Sequence, residues 1–413
     1  MTRNAPAVVV QPHSTKAIGC SHLSMHLRRI PPFAKGQTLK RIILVTVSVM
    51  LGGDPLLAGS QDFHPATFAT TVEPSSSDYS LDEQTVTSMA ISPSGELLAT
   101  GDLDGTLKIW DTRTCKLLRV LMIKGPGEPQ FSNGIGITSL TFSPDGDWLA
   151  AGSRDWAIRM WKIAPLPAIQ ESYKVIGHKG AVRSLAYSQD GQYLASVGGG
   201  TIRTWKIGGQ VTELAVFSTD NRHDFAVLFS QDGQTLFSGG DENVVRVWDL
   251  KTGKITRSLS VPGRVRALAL SPDGRMVAAA LEEMGPEWTG VSIRVWRAQS
   301  SQLMLDLEAH AEAALSVAFS PDGQRIASGG ADGNVHLWDV TTKALLQTMN
   351  PIPAEKPKES GLAMTALAGG TVQTMKFGGD GQLVFAAGYG YPPTVWDVRT
   401  GKVLKIFRGQ GCS

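Results

Sequence analysis

Cysteine is scarce: Cys20, Cys115 and Cys412 are the three in 413 residues, and from their placement neither a disulfide framework nor a CxxC metal cluster can be drawn. Cysteine usage alone therefore leaves the redox compartment open. The apolar run at residues 42–53 is too short for a comfortable transmembrane span. No GxGxxG, GKS or GKT phosphate loop, HExxH or GxSxG occurs, so the signatures of dinucleotide binding, nucleotide binding, zinc peptidases and serine hydrolases are missing. The eight histidines are scattered, with no pair at the helix spacing of a metal site. No cofactor is expected. A basic stripe with interleaved aromatics is also lacking, which argues against nucleic acid. The charge is divided in the same sense: residues 1–41 contain seven Lys and Arg and no acid, so the formal +2 of the chain leaves −5 on the remainder.

What is present is a repeat. Tryptophans stand at Trp110, Trp161, Trp205, Trp248, Trp296, Trp338 and Trp396, spaced 51, 44, 43, 48, 42 and 58 residues apart. Each closes a Val-x-Val-Trp-like strand. Ahead of it come an apolar stretch, Ser-x-Asp-Gly or a variant, and a Leu-Ala-Ser-Gly-like strand. The period is that of a four-stranded propeller blade. With 45 Gly, 42 % apolar and 18 % charged residues, the composition suits short strands joined by tight turns. Gly95, Gly146, Gly191, Gly233, Gly274, Gly323 and Gly381 each follow Asp or Ser, as hairpin turns needing positive φ prefer. Ser-Pro-Asp-Gly at 143–146, 271–274 and 320–323 lacks the alternating acids of a calcium loop and reads as a turn. The expected fold is all-β, a single seven-bladed propeller over residues 86–409, with a tail at 410–413.

These residues resemble the WD40 repeat family over nearly four fifths of the chain. The resemblance implies a structural tetrad of His, Ser or Thr, Asp and Trp in each blade. The sixth repeat matches it fully with His310, Ser328, Asp332 and Trp338. The third keeps His178, Ser196 and Trp205 but has Gly199 in place of Asp, and the first has Thr100, Asp104 and Trp110. The fifth and seventh depart furthest, with Gly290 and Gly390 at the Asp position. With the Trp in register, the His-Ser-Asp set is structural and not that of a hydrolase. The family commonly closes its ring by letting an N-terminal strand complete the last blade. Here Trp396 is followed by a candidate outer strand of its own, so the chain either closes without that exchange or pairs the strand differently.

Residues 1–59 form a basic leader with a signal-like segment. Lys40 and Arg41 precede the apolar run, and small residues follow it, the layout of a bacterial-type export signal. Export to the periplasm or outside the cell is the leading expectation. An uncleaved membrane anchor and a cytoplasmic protein with an extension are the alternatives. Residues 60–85 read as a linker, rich in Ser, Thr, Asp and Glu to residue 82, in which 66–72 could add an edge strand.

Interruptions of the repeat fall at 124–136, 281–290, 350–370 and 388–393, in loops that a propeller places on one face. Insertions gathered on one face of a rigid scaffold suggest a binding surface. The candidate partner-binding residues there are Phe131, Arg154, Trp156, Glu282, Glu283, Glu287, Trp288, Tyr389 and Tyr391, with Arg222 and His223 beside them. Trp288, Tyr389 and Tyr391 are the expected centre, in the anchor-and-rim pattern of protein interfaces. The function expected is a non-catalytic scaffold with a protein partner. The alternative is an exported propeller enzyme or small-ligand binder using the central channel. A membrane would be met only through an uncleaved N-terminus.

Overall fold

The computed structural model describes residues 85–123, 136–163, 170–219, 223–283, 290, 292–350, 370–408 and 411–412. Within them the chain forms seven antiparallel sheets, each of four consecutive strands, the last extended by the short strand Gly411–Cys412. The innermost strands are Val86–Ile91, Ile137–Phe142, Val182–Tyr187, Asp224–Phe229, Arg264–Leu270, Ala314–Phe319 and Thr371–Phe377. Each touches the next, and the seventh touches the first. The ring is a closed seven-bladed propeller.

Burial follows distance from the axis. Second strands such as Leu97–Asp102 are buried on both faces because neighbouring blades cover them, whereas the outer strand Thr212–Ser218 is largely exposed. The core accordingly lies between blades. Leu107, Ile109 and Leu121 of blade one pack with Ile137, Leu149 and Trp161 of blade two. Close approach needs a missing side chain: a Cβ on Gly101 would lie 2.5 Å from Ile137, and one on Gly152 2.7 Å from Val182. The glycine after Ala-Thr or Ala-Ala is thus a spacing device between blades.

Hairpins carry their own chemistry. In the Ser-x-Asp-Gly turns the Ser188 hydroxyl donates to Asp190 (2.6 Å) and accepts the Tyr193 N–H (2.9 Å), and Ser271, Asp273 and Met276 repeat the arrangement. Ser and Asp are spent on the turn, and the glycines all have positive φ. The expected interruption at 388–393 takes another form: Leu383–Tyr389 and Tyr391–Asp397 are both strands, joined at Gly390 in the left-handed region.

Blade seven takes its four main strands from the C-terminal end, so among the described residues no strand is exchanged to close the ring. The seam is sealed by one antiparallel backbone bridge, Thr85 to Tyr389, and by side chains. Phe407 meets Trp110 edge to face at 5.8 Å, and Val86, Met89, Leu98 and Cys115 complete the cluster with Phe385, Ala387 and Val395. The Lys405 ammonium donates to the carbonyls of Thr112 (2.9 Å) and Arg113 (2.7 Å). Gly411–Cys412 pairs with Phe407 and Arg408 on the outer edge. Cys115, buried in this seam, is disulfide-bonded, a cross-link that the cysteine spacing did not disclose. Residues 66–72 lie outside the described residues.

Candidate interaction face

The His and Ser side chains of the tetrads in blades three and six are committed to hydrogen bonds within their own blades. In blade six His310 Nδ1 bonds Asp332 (3.0 Å) and Nε2 bonds Ser328 (2.9 Å), while the buried Trp338 indole N–H has no partner among the described residues. The set that matched fully in sequence therefore links three of its four members. Blade three completes the chain without an Asp: His178 bonds Ser196 (2.7 Å) and the Gly198 carbonyl (2.9 Å), and Trp205 donates to Ser196 (2.8 Å). A backbone carbonyl replaces the carboxylate. Trp110 donates to Thr100 and Trp248 to Ser238. Ala occupies that strand position at Ala151, Ala279 and Ala386, and the buried indoles of Trp161 and Trp396 have no acceptor among the described residues.

Ser328 and the His310 side chain are fully buried, so no substrate reaches them. The His310, Asp332 and His336 ligand atoms lie within 4.8 Å of one another. Both His310 nitrogens are nonetheless committed, and His336 Nδ1 bonds Thr348 (3.0 Å), which leaves a poor donor set for a cation. Burial opposes ionisation of Asp332, but the His310 contact and Asn334 hold it at about 2.

Burial, with Arg203 acting in the same sense, lowers His178 to about 4 against the Gly198 hydrogen bond. Between pH 6.5 and 4 the unfolded chain is then the better proton acceptor, so this group's stabilisation is full above 6.5 and falls with acidification. Asp102 acts oppositely: burial and Asp104 raise it to about 8, and its contribution declines as pH rises toward that value. A His178→Gln variant separates the two. Its denaturant midpoint is expected to fall less steeply than wild type from pH 7 to 4.5, and equal slopes would refute the assignment.

The face carrying the turns between second and third strands is the one on which the inner strands begin. Seven β-bulges stand there, one per blade. In each inner strand one residue is skipped by the pairing: Thr87, Thr138, Arg183, Phe225, Arg266, Leu315 and Gln373. A bulge re-aims its side chain, and all seven line the axial channel, whose volume is about 680 Å³. Thr87 and Thr138 donate to the carbonyls of Gly101 and Gly152 in their own blades. Arg183 and Arg266 both stand over the Phe225 ring, at 5.0 and 4.6 Å from its centre.

The predicted partner-binding residues distribute unevenly around this mouth. Arg154 and Trp156 are exposed in the second-to-third-strand turn of blade two, and Trp156 has φ 71°. Glu282 is half-buried, with its carboxylate 3.5 Å from Arg266, and Glu283 is half-buried beside it. His223 is exposed, 4.0 Å from Asp241. Tyr389 is half-buried and pairs with Thr371. Tyr391 is not on the surface: it is 2 % exposed and stacks on Trp396 at 5.9 Å and 12°, because its place in the strand turns it toward the inter-blade core. Phe131, Arg222, Glu287 and Trp288 lie outside the described residues, so of the expected centre at Trp288, Tyr389 and Tyr391 the last is lost to the core and Tyr389 is left half-buried. The bulge residues were missed, since one skipped residue leaves the repeat period intact.

Blade number, turn chemistry and tryptophan register together define a seven-bladed propeller of WD-type repeats. The model of the Nucleolar protein 10-like, N-terminal domain matches residues 67–287, more than half of the chain, and the chain belongs to that family; the WD domain, G-beta repeat model matches residues 301–339. Among curated proteins it is similar to Periodic tryptophan protein 2 of Arabidopsis thaliana (25 % identical, 80 % of this chain, 35 % of that protein). It is also similar to Apoptotic protease-activating factor 1 of Rattus norvegicus (27 %, 78 % and 26 %) and to Protein hir1 of Schizosaccharomyces pombe (26 %, 61 % and 30 %). The chain spans about a quarter to a third of the length of these relatives.

Proposed function

We propose that the protein is a non-catalytic scaffold that docks a protein partner on the face bearing the seven bulges. The observation that carries this reading is the convergence there of an exposed, left-handed Trp156, the exposed Arg154 and the Arg183–Phe225–Arg266 set around one mouth. Aromatic and Arg anchors on a rigid frame are the usual centre of a protein interface. Buried tetrads and the match of residues 301–339 to the WD domain, G-beta repeat model support the same reading. In an affinity capture from the native host, intact protein is expected to retain a partner that a folded Trp156→Ala, Arg154→Ala double variant loses. Equal retention by both would remove this face from the account.

Export of the bacterial type is part of the proposal. The basic leader and apolar run support it, and so does the Cys115 disulfide, because such bonds persist in oxidising compartments. Mass spectrometry of the mature protein is expected to show an N-terminus beyond residue 53. An intact Met1 in a soluble fraction would refute cleaved export.

A further inference from the structure

We propose that the channel mouth is an oxyanion site that receives an acidic segment of the docked protein, with Arg183 as its principal donor and Arg266 beside it. This rests on the scaffold reading and names the chemistry of the partner.

The channel is lined by Arg183, Arg266 and Lys376, and by no Asp or Glu among the described residues. Thr87 and Thr138 are committed to backbone carbonyls, and the Gln373 amide donates to Thr371 (3.1 Å). Of the cations, Arg266 is partly neutralised by Glu282 at 3.5 Å. Arg183 is paired with no carboxylate among the described residues and rests on the Phe225 face. Stacking fixes the plane of a guanidinium while leaving its N–H edges open, the geometry that suits a carboxylate.

The positive charge is only partly compensated, by Glu282 beside Arg266 and by Asp241, which raises the Arg183 pKa without pairing with it. Burial lowers the Arg183 pKa, and Arg266 and Arg154 push it the same way. Lys376 meets solvent in the channel but is enclosed by the blades, and that enclosure lowers its pKa. An arriving anion relieves the like-charge repulsion at the mouth and offsets the burial of the Lys376 ammonium below it. Lys376 stands three residues further along its inner strand than the bulged Gln373, about 10 Å deeper at the rise of a strand. Two cationic levels at that separation suit carboxylates spaced along an extended chain better than one small inorganic ion. The mouth charge would also steer an acidic partner toward the face before contact.

The test uses the full chain and fluorescein-labelled hexaglutamate, followed by fluorescence anisotropy at low ionic strength. Wild type is expected to bind, Arg183→Gln to weaken binding about tenfold or more, and Arg183→Lys to recover part of the loss. Arg275→Gln, which removes an exposed arginine from the opposite face, is expected to change nothing. Thermal midpoints of the variants confirm that they fold. Equal losses from Arg183→Gln and Arg275→Gln would reduce the binding to general charge attraction and overturn the site. Inorganic phosphate competing as well as unlabelled hexaglutamate would overturn the acidic-segment assignment. If hexaglutamate fails to bind while the native partner is still captured through Trp156 and Arg154, this inference falls and the scaffold reading stands.

Discussion

Reduction of the Cys115 disulfide is expected to lower the stability of the propeller by about 3–5 kcal/mol and to make the ring open at the seam between blades seven and one. In many propellers the last blade is a composite that ties the chain ends together. Here blade seven is built from consecutive strands, so the seam is held by a single Thr85–Tyr389 bridge, the Phe407–Trp110 contact, two bonds from Lys405 and the buried Cys115. A cross-link that closes a long stretch of chain removes much entropy from the unfolded state. Of the two other cysteines, Cys412 stands opposite Phe407 in the last strand, and Phe407 shares a cluster with Cys115. Non-reducing peptide mapping is therefore expected to recover Cys115 joined to the Cys412 peptide. Forming the bond passes two electrons and two protons from the thiols to a disulfide oxidant such as oxidised glutathione. Cys115→Ser and Cys412→Ser should each lower the denaturant midpoint by the amount that reductant lowers wild type. A Cys412→Ser variant as stable as wild type, or a Cys115–Cys20 peptide, would refute the seam assignment.

Much of this architecture was legible because a blade cannot bury its faces alone. The repeat had to write the same apolar strands, turn glycines and tryptophans seven times, and period and register followed from them. Tetrad bonding was less legible. Trp161 and Trp396 could be foreseen to lack an acceptor from Ala151 and Ala386, but Trp338 lacks one although Ser328 is present, which is a matter of side-chain placement. Tyr391 misled for a plain reason: an aromatic beside two prolines reads as loop, yet its strand pairing buries it. The disulfide at Cys115 was hidden because three scattered cysteines do not say which of them the closed ring brings near the seam. The bulge ring was hidden because a bulge changes where one side chain points without changing chain length or pattern.

Trp156→Gly is expected to make the protein more stable by about 1 kcal/mol while weakening its partner about 30-fold or more. The turn position of Trp156 recurs around the ring, and its equivalents are Gly105, Asn243 and Gly333, all at positive φ. Those residues tolerate the left-handed region; a bulky side chain there pays a steric penalty of about 1–3 kcal/mol. Burial does not repay it, since the residue is 51 % exposed. Glycine removes the strain, although its greater freedom in the unfolded chain returns part of the gain. Alanine separates backbone from side chain. Trp156→Ala keeps the strain and loses the indole, so it should weaken the partner as glycine does without raising the thermal midpoint. If Trp156→Gly instead lowers stability, the indole is packing on its own blade and is not an anchor. If both variants hold the partner as wild type does, the strain serves something other than docking on this face. With the expected pair of results, one turn of blade two gives up folding free energy to hold an aromatic side chain in solvent beside the cationic mouth, where a partner can cover it.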